Sequence, residues 1–180
     1  FAVSCAMYIG YENIILLGND FSFFAARKDQ HFYDVEENKK VKAALSHGFK
    51  TLLCIGETAE QKEYGISAET LRSQLKIGFY GVSPEECKNI WVAYEPVWSI
   101  GPGKTPADKD YITKIAKFVK EKTGGMDIVY GGGLKKDNAA MLASIPEIDG
   151  GLIALTRFQG EIGFYPEEYL EIISLYLGDN

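Results

Sequence analysis

Glu95 stands at the end of a short apolar run, residues 90–94, and is followed by Pro96-Val97-Trp98-Ser99-Ile100-Gly101-Pro102-Gly103-Lys104-Thr105-Pro106. A carboxylate beside apolar walls has its charged form disfavoured, which raises its pKa and makes it a better proton acceptor. The loop after it has stiff ends and a pliant middle. Pro96 fixes one end and Lys104-Thr105-Pro106 the other, while Gly101 and Gly103 can offer bare backbone N–H groups to an anion. That is the composition of a lid that closes over a phosphorylated substrate. Taken by themselves, the same residues also describe a strand-end carboxylate followed by a turn.

The elements that must position these groups read as alternating patterns. Residues 14–17, 51–55, 90–94, 127–130 and 151–155 are short, β-rich and nearly all apolar. Strands buried on both faces of a parallel sheet have this appearance. Helical spacing fills the intervals. Val41, Ala44 and Leu45 form a stripe that stops at Gly48. Leu71, Leu75 and Phe79 recur every four residues after a cap at Ser67. Ile112, Ile115, Ala116 and Val119 mark one buried helical face. Its start signals are Thr105 as cap, Pro106 in the first turn and Asp108 at the positive end, and Gly124-Gly125 stop it. A shorter helix is expected over 138–143, and a last one after Pro166 that buries Leu170, Ile173 and Leu177. Segment 20–36 is the least regular and reads as a long loop on the active-site side. Repeated strand–helix units imply right-handed crossovers and a parallel sheet. About five units are visible, against eight in a complete (β/α) barrel of roughly 250 residues. Periodicity alone fits either an open α/β sheet or part of a barrel.

Composition narrows the classes of function. The chain has 180 residues, a net charge of −6 and 46% hydrophobic residues, too apolar for disorder. The acidic balance argues against nucleic acid, which needs clustered Lys and Arg, but leaves room for a small anion held by a few donors. Cys5, Cys54 and Cys87 are odd in number and widely spaced, which reads as reduced thiols in a cytoplasmic protein. No apolar run has the length of a membrane span. No linker or low-complexity tract divides residues 1–180, which read as a single domain. The first residue is Phe1 and not Met, so the chain is read as a fragment.

The string from Trp91 to Pro106 resembles, almost residue for residue, the signature of the triosephosphate isomerase family. Other segments resemble the same family in the right order. Cys54-Ile55-Gly56-Glu57 is similar to its fifth strand end, and Tyr130-Gly131-Gly132-Gly133 to its seventh loop, where Ser is usual in the last place. Asp149-Gly150-Gly151-Leu152 resembles the approach to its eighth strand. The resemblance runs from about Asn38 to the end. It implies an α/β fold, an incomplete (β/α) TIM barrel of about the last five units. It also implies the interconversion of dihydroxyacetone phosphate and glyceraldehyde 3-phosphate. In that reaction a Glu moves a proton through an enediol(ate), a neutral His and a Lys polarise the carbonyl oxygens, and a lid excludes water. The family is itself a standard worked case of such pKa tuning. The implied partner is a small phosphorylated sugar, with no metal or organic cofactor. By position, Glu95 would be the base and Gly101 the lid N–H that holds phosphate. Pro96, Val97, Trp98, Lys104 and Thr105 would belong to the lid and Tyr130 would latch it. Gly132 and Gly133 would lie near the phosphate, and Glu57 would be structural, bonding Trp98 in one lid state.

Three departures from the family carry expectations of their own. Nothing here matches its first three strands, the first of which carries a substrate-binding Asn and Lys, so the chain as given should be a poor enzyme. Leu17-Gly18-Asn19-Asp20-Phe21 stands where the family has Gly-His-Ser-Glu. Asn19 can donate one hydrogen bond to a carbonyl but cannot relay a proton at neutral pH. Of the two histidines, His47 reads as structural at a helix end and His31 as solvated in the irregular loop. Ala154-Leu155 replace two adjacent glycines whose N–H groups bind phosphate. Arg157 either supplies a fork of donors in their stead or is a surface charge. Two readings result: an impaired isomerase of a triose phosphate or related phosphosugar, or a non-catalytic relative that binds a phosphosugar or a partner chain. Five of eight units leave two open sheet edges, which predicts self-association, most simply as a homo-oligomer.

Overall fold

The structure, a computed structural model, describes residues 14–17, 30–101, 103–157 and 159–178. Five strands form one parallel sheet in chain order: β1 (Ile14–Leu17), β2 (Lys50–Ile55), β3 (Ile90–Tyr94), β4 (Ile128–Tyr130) and β5 (Gly150–Gly151). The helices are α1 (Gln30–Ser46), α2 (Ala59–Glu63), α3 (Ser67–Gly78), α4 (Pro84–Cys87), α5 (Lys109–Thr123), α6 (Ala139–Ala143) and α7 (Pro166–Leu177). A parallel sheet whose strands add in sequence order through helical crossovers is the arc of a (β/α) barrel. Among the described residues, β1 and β5 are its outer strands.

Alternation along the strands sorts the core into two faces. Leu53, Ile55, Val92, Tyr94, Ile128 and Tyr130 point to the helices and pack with Val41, Leu71, Leu75, Ile112, Ile115, Val119 and Leu142. Leu52, Cys54 and Ala93 point the other way, with Trp91, Val129 and Leu152 half-buried against them. Glu95 continues the second face, Glu57 the first.

Four sequence expectations need correction. Residues 30–36, read as part of an irregular loop, form the start of α1, and His31 with them. This half of the helix is rich in polar residues, so no apolar stripe announces it. Helix α5 starts later than Thr105 and Pro106 suggest. Its N-cap is Asp108, whose carboxylate accepts from Tyr111 N at 2.8 Å, because the Ala107 N–H is already committed to Tyr130. Ser67 is the first residue of α3 and not its cap, and its hydroxyl meets Tyr111 instead. The strand expected over 151–155 is confined to Gly150–Gly151. Strand β4 has three residues and offers no further ladder, so Ile153 is buried by packing and not by pairing.

The last helix also turns a different face inward. Ile172 is buried with Tyr169 and Tyr176 against the core, whereas Leu170 and Leu177 are 63% and 66% exposed. Both stripes have helical spacing, and the one with the larger aromatic surface wins the core. Two further expectations hold: α5 buries Ile112, Ile115, Ala116 and Val119 and ends at Gly124 in the left-handed conformation. His47 caps the end of α1, with Nδ1 2.7 Å from the Ala43 carbonyl.

Candidate active site

One rung of the sheet fixes the site. Ile55, Tyr94, Tyr130 and Gly151 lie side by side across β2 to β5. The chain keeps pairing one residue further: Glu95 N donates to Ile55 O at 2.8 Å, Gly131 N to Tyr94 O at 2.9 Å and Leu152 N to Tyr130 O at 2.9 Å. Glu95 is therefore flanked by Gly56 on one side and Gly131 on the other. Neither glycine could carry a side chain in this arrangement. A Cβ on Gly56 would stand 1.9 Å from the Glu95 carbonyl oxygen, and one on Gly131 2.6 Å from Glu95 Cγ and 2.8 Å from Oε1. Gln74 reaches from α3 to hold Gly56, accepting from its N–H and donating to its carbonyl, both at 2.9 Å.

The Glu95 side chain thus lies over Gly131. Burial pushes its carboxyl above the ordinary range, and a hydrogen bond from the Cys54 thiol partly offsets this. A carboxyl whose pKa is higher in the folded chain adds stability in its protonated form. That stability is fully present below the unfolded pKa, about 4.3, and is lost as pH rises through the folded value. Glu95→Gln, neutral throughout, should therefore melt higher than the parent at pH 7, with the gap closing towards pH 4. Melts at both pH values check this, and a gap that grows in acid would refute it.

Behind Glu95, the segment expected to act as a lid begins as a single 3₁₀ turn, Val97–Ser99. Val97 N donates to Glu57 O at 3.0 Å. Ser99 donates through Oγ to the Gly132 carbonyl at 3.1 Å, and Tyr130 OH donates to the same carbonyl at 2.9 Å. The Ala107 N–H returns to Tyr130 OH at 3.3 Å, so Tyr130 ties the far end of the 96–106 segment to the 131–133 turn. Burial raises the Tyr130 phenol, which keeps it a donor near neutrality. Gly101, Gly103 and Gly133 have φ values of +104°, +74° and +94°, which favour glycine. Pro96 is buried, whereas Lys104 and Thr105 are exposed.

On the helix side, the fully buried Glu57 collects three donors. Trp98 Nε1 lies at 2.8 Å and Tyr111 OH at 2.7 Å from Oε1, and Tyr94 OH at 3.1 and 3.2 Å from its two oxygens. Lys62 Nζ sits 3.4 Å from the centre of the Trp98 ring.

The structure brings together Glu95, the 97–99 turn and the turn at Gly132 and Gly133. It does not bring Arg157 to them. That guanidinium donates to Glu168 Oε1 through Nε at 3.0 Å and Nη2 at 2.6 Å, and stacks 3.8 Å from the Tyr165 ring centre. Ala154 is exposed and Leu155 half-buried just beyond β5. Asn19 lies outside the described residues. Cys54 and Cys87 carry no disulfide. Among the described residues, no cluster of three or more His, Cys, Asp or Glu could hold a metal, and no helix is long and apolar enough to cross a membrane. The sequence reading did not assign Gly131, Ser99 or Tyr111 to the site. A glycine directly after an apolar strand was a usable signal for Gly56 and Gly131. Tyr111, 54 residues from Glu57, left none.

Comparison with known proteins identifies the family. The sequence pattern of the triosephosphate isomerase family matches residues 26–174. The chain belongs to the triosephosphate isomerase family. Relatives named triosephosphate isomerase include one from Acetivibrio thermocellus, 39% identical over 148 residues that cover 76% of this chain and 59% of the relative. Another, from Chloroherpeton thalassium, is 37% identical over 158 residues, 82% of this chain and 60% of the relative. A third, from Chlorobium phaeobacteroides, is 43% identical over 124 residues, 64% of this chain and 49% of the relative. The chain thus spans about three-fifths of the length of the first two curated relatives it matches.

The Gly131 contact yields a prediction for this family site. In Gly131→Ala the new methyl meets the movable end of Glu95, so the carboxylate shifts and the fold persists. Misplacing a reacting group by about 1 Å costs roughly 100-fold in rate. On the reading of Glu95 as a base, turnover should fall by that order, with a melting temperature within a few degrees of the parent.

Proposed function

We propose that this chain carries the proton-transfer half of a triose-phosphate isomerase site, with Glu95 as the base. One observation supports this above the others: the Glu95 carboxylate is held over Gly131 in surroundings that raise its pKa, at the root of a glycine-containing lid. In this reading Glu95 takes the proton from the carbon beside the substrate carbonyl. The electron pair forms the enediolate double bond as the carbonyl pair moves onto its oxygen, the hydroxyl proton of the first carbon passes to that oxygen, and the same carboxyl returns its proton to the neighbouring carbon. Gly101, Gly132 and Gly133 hold the phosphate through backbone N–H groups, and Tyr130 latches the lid. The outer strands β1 and β5 support self-association. The test is isomerisation of dihydroxyacetone phosphate coupled to a glyceraldehyde 3-phosphate dehydrogenase. Turnover above a blank supports the reading, and its absence at high protein concentration counts against it.

A second reading has its own support. Arg157 is committed to Glu168, and Asn19 stands where the family's His is expected. Both favour a relative that binds a phosphosugar without turning it over. Calorimetric binding of dihydroxyacetone phosphate together with a silent assay would select it.

A further inference from the structure

We propose that Tyr111 is a positioning residue of the lid, a spare donor that keeps Glu57 satisfied when Trp98 leaves and so sets how readily the lid lets go. The proposal rests on reading 96–106 as a lid that moves. Glu57 Oε1 receives Trp98 Nε1 at 2.8 Å, Tyr111 OH at 2.7 Å and Tyr94 OH at 3.1 Å, whereas among the described residues Oε2 receives only Tyr94, at 3.2 Å. Three donors crowd an oxygen that has two lone pairs. They share one acceptor, so each bond is weaker than it would be alone. The Trp98 N–H belongs to the segment that must move. The Tyr111 hydroxyl belongs to α5, whose Ile112, Ile115, Ala116 and Val119 are locked in the core.

The orientation of Tyr111 is itself fixed. Its oxygen lies 3.0 Å from Ser67 Oγ, so the Ser67 hydroxyl donates to Tyr111 and Tyr111 donates to Glu57. Its ring meets Trp98 edge-on, with centroids 5.7 Å apart and planes at 75°. Lys62 Nζ covers both rings, 3.4 Å from the Trp98 centroid and 4.7 Å from that of Tyr111. A buried carboxylate that loses its donors carries the full cost of desolvation. With Tyr111 present, the departure of Trp98 leaves Glu57 with two phenolic donors on fixed elements. Without that hydroxyl one remains, and Trp98 becomes the donor the carboxylate cannot release cheaply.

Tyr111→Phe removes the hydroxyl and keeps the ring. In the full chain, the Trp98 indole proton should then exchange with water on the order of tenfold more slowly than in the parent. NMR reads this directly, and Trp91→Phe assigns which of the two indole signals is Trp98. Unchanged or faster exchange overturns the proposal, since water would then be replacing the lost donor. A double-mutant cycle with Trp98→Phe decides independently. Donors that stand in for each other give single variants with small shifts in the urea midpoint and a double variant whose shift exceeds their sum. Additive or sub-additive shifts overturn the proposal. Neither measurement needs turnover, so a silent isomerase assay would remove the proposed reaction and leave this result readable.

Discussion

With Glu95 as the proposed base, Glu95→Gln should lower isomerisation of dihydroxyacetone phosphate by about 1,000-fold relative to the unaltered chain, within the 10²–10⁴ range of a positioned base. The size of the loss follows from how little else changes. Gln has the shape of Glu, so the side chain can still lie over Gly131 and fill the same space. Its amide oxygen cannot carry away a proton at neutral pH. What is lost is the raised basicity that burial gives the carboxylate. The variant should also gain stability near neutrality, so a slow enzyme that melts higher is the expected signature. Coupled assays of purified parent and variant, with circular dichroism as the control for folding, decide the matter. Equal rates would remove Glu95 from the reaction altogether.

Gly56→Ala should be the most damaging single methyl in the molecule. The added carbon would stand 1.9 Å from the Glu95 carbonyl oxygen and 2.6 Å from its carbonyl carbon. That obstacle is backbone, and it cannot rotate away. Glu95 is pinned by its own N–H to Ile55, and Gly56 is pinned from both ends by Gln74. Relief would need β2 and β3 to part at the rung that sets the site. A cost of about 3 kcal/mol or more is expected, the upper part of the range for overpacking. Gly48→Ala is the matched control. A Cβ there meets nothing within 4 Å, and only its φ of +76° opposes the change, at about 1–2 kcal/mol. Chemical denaturation of the two variants gives the comparison. Equal losses would show that the strands separate more easily than their hydrogen bonds suggest.

The sequence made the frame legible where composition and burial coincide. Residues 51–55 and 90–94 are apolar because both faces of β2 and β3 are covered, and their ends were read to within one residue. Where burial and pairing part company the reading slipped. Ile153 is apolar and buried but has no ladder to join, so β5 was drawn too long. The last helix carried two apolar stripes, and only the fold could choose Ile172 over Leu170 and Leu177. The placement of Glu95 at a strand end before a glycine-containing loop was legible from the local string. The network around Glu57 was only partly so, because its donors lie 37, 41 and 54 residues away and are tied by no local pattern. The cap of α5 was missed for a similar reason: a distant tyrosine occupies the N–H that a local reading assigns to the helix.

The rung that flanks Glu95 has a consequence for the order of assembly. Its members, Ile55, Tyr94, Tyr130 and Gly151, come from four separate strand–helix units. Contacts between residues so far apart in the chain form only after the intervening loops have closed, and such closures are slow. Helices α3 and α5 can gather locally and early. The groove between Gly56 and Gly131 has no local precursor, because each wall is a backbone contributed by a different unit. The groove around Glu95 is therefore complete only after β4 docks on β3. A molecule that stalls with only β2 and β3 paired has the Gly56 wall beside Glu95 and lacks the Gly131 wall.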